Sequence, residues 1–242
     1  MKIALLALVL GTASLVALAA PTPKDSEKLP APTEKQLEQS QNNLKLIGIA
    51  IHRYHDANGK LPADVVDKDG KAILSWRVLL LPYLPNLEDH TVYKKFKFDE
   101  PWDSKVNKAL IESLPKTYTP IRVKAEKGQT FYRGFNGPDT VFEAGTQHNR
   151  FAMKDGTSNT IMVVEAGEPC IWSKPDDLIY SAKKPVPKLG GLFDGDFHVL
   201  MGDGSTHCGI GKKMDGEEFR KLITKSDGMV QDTGKALGVG KK

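Results

Sequence analysis

The sequence predicts an α+β fold in which a long N-terminal helix packs on an antiparallel sheet, with several short helices in addition. Two observations lead to this fold class. After residue 33, the first half of the chain repeats apolar residues with a helical period. The second half has short runs of β-branched and aromatic residues, separated by glycine-containing turns, which is typical of strands.

Residues 1–19 have the pattern of a cleavable secretory signal peptide. Lys2 precedes an apolar run that ends at Ala20 and is too short for a stable membrane-spanning helix. The small residues of Ala17-Leu18-Ala19 suit a signal peptidase, and a retained membrane anchor is the alternative. We therefore expect a periplasmic or extracellular protein that has no stable membrane insertion after cleavage.

The rest of the chain is predicted to be one domain with two flexible ends. Residues 20–33 are rich in proline and charge and should be a flexible tether. A single α+β domain is predicted over residues 34–230, followed by a flexible tail at 231–242. The net charge of +4 is spread along the chain without a basic stripe, so nucleic acid is not an expected partner.

The first predicted element is a helix of about six turns from Glu34 to Ala57. Its apolar stripe includes Leu37, Leu44 and Ile51, which follow one another at intervals of seven residues. Thr33 is suited to cap its first turn, and the Asn58-Gly59 pair is suited to end it.

Shorter elements follow the long helix. Residues 65–74 suggest a hairpin or a loop. Ser75 can cap a second helix, and two more short helices are predicted at 88–96 and 105–114.

Strands are predicted in the second half of the chain. Their ranges are 130–135, 159–165 and 197–201. The last of them continues through Gly202-Asp203-Gly204 into a hairpin strand at 205–210, and a final amphipathic helix is expected at 216–224.

Two groups of residues have the chemistry of metal ligands. His52 and His55 lie three apart on the long helix, but the favourable end of the helix dipole explains them equally well. Asp194, Asp196 and Asp203 form an acidic cluster that could hold calcium, although turn chemistry also explains it. No metal or other cofactor is therefore predicted.

Signatures of catalysis are missing from the sequence. It contains no Gly-x-Ser-x-Gly, no phosphate-binding glycine loop and no His-Glu-x-x-His. We therefore expect a protein that is not an enzyme, with an envelope hydrolase as the least favoured alternative.

Cys170 and Cys208 are the only two cysteines of the chain. In an exported protein they could form a disulfide, which would stabilise the fold by roughly 4 kcal/mol for a loop of this length. Two separately buried thiols are the alternative, and the residues themselves leave both readings open.

Several segments resemble one known family. They are QNNLKLIGIAIHRYHDANGKLP, SWRVLLLPYL, FDEPWDSKVNKALIESLP, KDGTSNTIMVVEAGE, WSKPDDL and GGLFDGDFHVLMGDGS. Together they are similar, from about Gln41 to Ile223, to the planctomycetal pilin-like family, domain of unknown function 1559, which is also filed under a solute-binding label. The resemblance implies a pseudopilin-like layout and no established catalytic activity.

Two departures from that family affect the functional prediction. A conventional signal and a polar tether replace the hydrophobic prepilin helix, so a role as a core filament subunit is not expected. The family's His-x9-Asp-Gly motif would place its histidine at position 193, which is Phe193 here, and His198 is in the wrong register to replace it. Cys170 and Cys208 also differ from the family pattern, which favours the disulfide.

The functional prediction is an exported, non-enzymatic, pilin-like protein that works through its surface. Its expected partner is an envelope or extracellular protein, in an accessory role in the envelope or in secretion. A periplasmic protein that binds a small solute is the alternative.

Overall fold

The long helix predicted at the start of the domain is present as α1, Glu34–Asn58. The computed structural model describes residues 29–85, 91–227 and 232–239. Thr33 and Gln36 form a reciprocal capping box at the first turn, in which each side chain accepts a hydrogen bond from the other residue's backbone N–H. Gly59 ends the helix at φ 73°, in the left-handed region where glycine is favoured.

Within the described residues, five short α-helices accompany α1. Ser75, Ser104 and Asp215 each accept a backbone hydrogen bond at the N-terminus of α2, α4 and α5, respectively. The five are α2 Trp76–Leu79, α3 Thr91–Lys95, α4 Lys105–Ala109, α5 Gly216–Ile223 and α6 Thr233–Leu237.

The described residues form eight strands in three sheets. The strands are β1 Val65–Val66, β2 Ala72–Leu74, β3 Gln129–Arg133, β4 Phe135–Asn136, β5 Ile161–Ile171, β6 Leu178–Ile179, β7 Asp196–Met201 and β8 Thr206–Ile210. The main sheet has four antiparallel strands in the order β3-β5-β7-β8. β1 and β2 form an antiparallel pair, and β4 and β6 form a short parallel pair. The predicted α+β fold is confirmed.

The main sheet has apolar side chains on both faces. Leu200 of β7 packs with Leu44, Ile47 and Ile51 of α1 on one face. Its neighbour Val199 belongs to the cluster on the other face, which α5 and α6 cover. This alternation follows from the period of two along a strand, and it places α1 against one face of the sheet.

The C-terminal end differs from its prediction as a flexible tail. α6 lies within residues 231–242, and Ala236 and Leu237 are fully buried there against the cluster that contains Phe219. Asp232 caps α6 and Gly238 ends it. α6 packs here because its two apolar side chains complete a core that begins on α5, a contact that local composition does not reveal.

The N-terminal predictions lie largely outside the described residues. The signal peptide at 1–19 and most of the tether at 20–33 belong to the part that is not described. Within the described ranges, no helix combines the length and the apolar character that crossing a membrane requires.

Candidate functional site

A row of polar side chains crosses the main sheet beneath α1. Each strand of the sheet contributes one residue. In strand order these are Tyr132 on β3, Glu165 on β5, His198 on β7 and Cys208 on β8. Tyr132 is paired directly with Glu165, and His198 is paired directly with Cys208. Residues paired across antiparallel strands project from the same face, so the strand register itself assembles this row.

Glu165 is the centre of the row. Its side chain is fully buried and accepts a hydrogen bond of 2.8 Å from the backbone N–H of His198. The same carboxylate oxygen lies 3.0 Å from Nδ1 of the His198 ring. The Ser40 hydroxyl donates to the second carboxylate oxygen. Burial of a carboxylate is tolerated where donors surround it in this way.

α1 contributes the second half of this network through Ser40 and Asn43. The Ser40 hydroxyl lies 2.7 Å from the Tyr132 hydroxyl, and Nδ2 of Asn43 donates to the same hydroxyl at 3.2 Å. Burial and then the charge of Glu165 raise the pKa of Tyr132, so its hydroxyl stays protonated at neutral pH. The polar row therefore links α1 to two strands of the sheet.

His198 lies between Glu165 and Cys208. Burial lowers the pKa of His198, but hydrogen bonds and charge interactions with Cys208 and Glu165 outweigh it and raise the pKa to about 10. The edge of its ring packs against Phe193, with ring centroids 5.6 Å apart. A protonated imidazole between a carboxylate and a sulfur is the outcome of this geometry.

The predicted disulfide is not formed in the structure. Cys170 is buried on β5 opposite Thr130, whereas Cys208 is exposed on β8, and both are free thiols. β7 lies between β5 and β8, and two strand spacings amount to roughly 9.6 Å. A disulfide needs Cα atoms closer than about 7 Å, so the sheet order separates the two cysteines.

The three aspartates considered as a weak calcium candidate do not come together. Asp194 pairs with Arg122 at 2.7 Å, and Asp203 accepts a hydrogen bond from the backbone N–H of Ser205. The length of β7, roughly 17 Å, separates Asp196 from Asp203. Among the residues that the structure describes, no three His, Cys, Asp or Glu side chains are placed to share a metal ion.

A cleft of about 620 Å³ opens next to His52 of α1. Its lining includes Arg150, Lys154 and Asp203. The Nε2 atom of His52 is buried without a hydrogen-bond partner, and Gly204, at φ 87°, passes close to it in the turn between β7 and β8. Burial and then the charge of Arg150 lower the pKa of His52. Two cations and a neutral imidazole therefore line one cleft.

A second polar cluster surrounds Arg77 of α2. Its guanidinium is fully buried and donates to Asp177 at 2.5 Å, to Ser75 at 2.6 Å and to the backbone carbonyl of Tyr132 at 2.8 Å. The indole N–H of Trp76 donates to the other oxygen of Asp177 at 2.7 Å. Both charges are paired and hydrogen-bonded, as burial requires.

Asp64 connects the Arg77 cluster to a cavity of about 500 Å³ that it helps to line. Its carboxylate accepts a hydrogen bond of 2.9 Å from the backbone N–H of Trp76. Burial and then repulsion from Asp177 raise the pKa of Asp64 to about 7, against the opposing effects of Trp76 and Arg77. Asp64 is thus an acid that changes charge near neutral pH.

The polar row was not predicted from the sequence as a site. From the sequence, Glu165 is predicted only as the end of a strand, and His198 is only a residue in the wrong register to replace a motif histidine. One signal was present, since Glu165 interrupts the otherwise apolar run IMVVEAG. A charged residue in such a run needs buried partners, but the sequence does not say which strands supply them.

The fold defines an α+β protein in which a long helix lies on a four-stranded antiparallel sheet. Residues 38–152, just under half of the chain, match the model of the family described as "Protein of unknown function (DUF1559)", labelled SBP_bac_10. The resemblance inferred from the sequence is thus confirmed. Comparisons with curated proteins and with solved structures found no match.

Proposed function

We propose that this protein is an exported, pilin-like binding protein without catalytic activity, which holds a small anionic solute in the cleft at His52. The observation that carries the proposal is the convergence of His52, Arg150 and Lys154 on a cleft of about 620 Å³. Binding sites for small molecules have volumes of roughly 300–1,000 Å³. The solute-binding label of the family is in keeping with this function.

The charges of the cleft favour an anionic group. Arg150 offers a planar guanidinium that pairs well with carboxylate or phosphate, and Lys154 adds a second positive charge. Burial and the charge of Arg150 lower the pKa of His52. A bound anion would favour protonation of His52, because a nearby negative charge stabilises the charged imidazole. Asp203 also lines the cleft, and its carboxylate can accept a hydrogen bond. This acceptor suits an anionic solute that also has a donor group.

Thermal unfolding in the presence of single solutes tests this function. Phosphate, sulfate and small mono- and dicarboxylates are each added to the protein, and a solute at a hundred times its dissociation constant should stabilise the fold by about 2.7 kcal/mol. For a solute that stabilises the native protein, Arg150→Gln should raise the dissociation constant about tenfold or more, because a charge-assisted hydrogen bond contributes about 1.5–3 kcal/mol.

Arg53→Gln is the matched control for this experiment. Arg53 is the exposed neighbour of His52 on α1, and it donates to the backbone carbonyl of Tyr83 rather than lining the cleft. Equal stabilisation of the two variants, or no stabilisation by any solute of the panel, would argue against the cleft as a binding site.

A protein partner is the second candidate, in an accessory role in the envelope or in secretion. The helix-on-sheet layout supports it, together with the expected signal peptide in place of a prepilin helix. Capture from envelope extracts with the mature protein, followed by N-terminal sequencing of the endogenous chain, examines the partner and the export together. A membrane-bound chain that still begins at Met1 would contradict the export proposal.

A further inference from the structure

Cys208, His198 and Glu165 follow one another across three neighbouring strands in the order thiol, imidazole, carboxylate. Nδ1 of His198 lies 3.0 Å from Glu165, and His198 is paired directly with Cys208 across β7 and β8. The same order of groups activates nucleophiles elsewhere in proteins: a base touches the nucleophile, and a third group orients the base.

Burial divides the three groups into a protected pair and an accessible sulfur. Glu165 is 0% exposed and His198 is 3% exposed. Cys208 is exposed on β8, which is an edge strand of the main sheet. A molecule in solution can therefore reach the sulfur, whereas the imidazole and the carboxylate keep their geometry behind it.

We propose that Cys208 is a reactive thiol that forms mixed disulfides with disulfide-bearing molecules, with His198 holding the thiol proton and Glu165 positioning His198. This inference does not depend on the solute cleft at His52 or on export. Cys170 lies two strands away and cannot displace the incoming group, so the mixed disulfide is the end product. The site therefore captures its reaction partner and does not turn over.

The exchange balances without an added oxidant. In the proposed resting state the thiol proton already lies on His198, and the Cys208 thiolate attacks one sulfur of the incoming disulfide. One S–S bond forms at Cys208 as the original S–S bond breaks, and the departing thiolate takes up a proton from His198 or from water. The number of disulfides is the same before and after the step.

The groups around His198 set the expected dependence on pH. Glu165 and Cys208 are the titratable groups that interact most directly with it, with Tyr132 one residue further along the row. α1 contributes Ser40 and Asn43, which are uncharged. Because the proposed site holds the thiol proton on His198, we expect the rate of exchange to be nearly constant between pH 6 and 8, whereas an isolated thiol reacts about tenfold faster for each pH unit in this range.

The test uses the full chain and 5,5′-dithiobis(2-nitrobenzoate) as the disulfide probe. The native protein should release one equivalent of the coloured thiolate at a rate that changes less than threefold between pH 6 and 8. Cys208→Ser should abolish this phase, and Cys170→Ser should leave it unchanged. His198→Gln should restore the steep rise with pH, and Glu165→Gln should shift the profile in the same direction.

A second cysteine on the same strand separates this role from the mere presence of a thiol on β8. Thr206→Cys in a Cys208→Ser background places a thiol two residues along β8 on the same face, opposite Leu200 rather than His198. This variant keeps the Glu165–His198 pair, and its profile should rise steeply with pH. A native profile that rises tenfold per pH unit, or a Cys208 that does not react, would overturn the proposal.

Adducts with biological disulfides complete the experiment. Incubation with glutathione disulfide should add one glutathione to the native protein by mass spectrometry, and non-reducing electrophoresis should detect any dimer linked through Cys208. Either product supports the proposal when Cys208→Ser prevents it. If neither forms while the probe reacts, the proposed capture of disulfide-bearing molecules is wrong.

Discussion

Removal of the Asp177 carboxylate should destabilise this protein far more than removal of the neighbouring Asp176 carboxylate. Asp177→Ala leaves the guanidinium of Arg77 without its ion-pair partner in a site where both side chains are at most 1% exposed. It also removes the acceptor for the indole N–H of Trp76 and for the backbone N–H of Gly134, which lies 3.1 Å from the carboxylate.

The magnitude follows from the unpaired charge. Breaking a buried ion pair by removing one partner costs about 3–5 kcal/mol. Asp176→Ala at the adjacent position is the matched control, because Asp176 is 36% exposed and its ion pairs with Arg133 and Lys174 are partly solvated. Such a change costs about 0–1 kcal/mol.

Urea unfolding followed by circular dichroism measures the difference. With a slope of roughly 2–3 kcal/mol per molar urea for a domain of this size, Asp177→Ala should lower the midpoint by about 1–2 M. Asp176→Ala should shift it by no more than a few tenths. Replacing the pair together, as Arg77→Met with Asp177→Leu, should recover part of the loss, since no buried charge is left unpaired. Equal losses in the two single variants would refute the reasoning.

Two further predictions concern Asp64 and α6. The pKa of Asp64 is raised from 3.8 to about 7 in the folded state, so between these values the folded protein binds more protons at this site than the unfolded chain does. The free energy of unfolding should therefore fall as pH rises through this window. Asp64→Asn should remove this dependence on pH. Parallel pH profiles of stability for the native protein and the variant would contradict the raised pKa of Asp64. Leu237→Ala should lower the free energy of unfolding by about 2–5 kcal/mol, because the side chain is fully buried. Lys235→Ala, at an exposed position of the same helix, should lower it by less than about 1 kcal/mol. Two small, equal losses in thermal or urea unfolding would mean that α6 adds nothing to the core.

Local sequence signals predicted most of the secondary structure. The cap at Thr33, the stop at Gly59 and the apolar spacing between them define α1 to within a residue of its observed end. Such signals are local, because a cap or a turn depends on residues only a few positions apart. The strands at 129–133, 196–201 and 206–210 were likewise evident from composition and from an Asp-Gly turn.

The sequence also determined the fold class of this protein and its resemblance to a known family. A helical period followed by strand-like runs requires a helix packed on a sheet, and the ordered blocks of the family were readable directly. It could not determine that α6 is part of the core, because Ala236 and Leu237 are buried by residues that are distant in the chain.

The candidate site was decided by the tertiary structure. Tyr132, Glu165, His198 and Cys208 are separated along the chain, and only the order and register of β3, β5, β7 and β8 place them in one row. The same sheet order separates Cys170 from Cys208, although their departure from the family pattern favoured a disulfide between them. Strand pairing depends on the packing of side chains that are distant in the chain, on both faces of the sheet. The sequence therefore shows which residue types are present but not which of them lie next to one another.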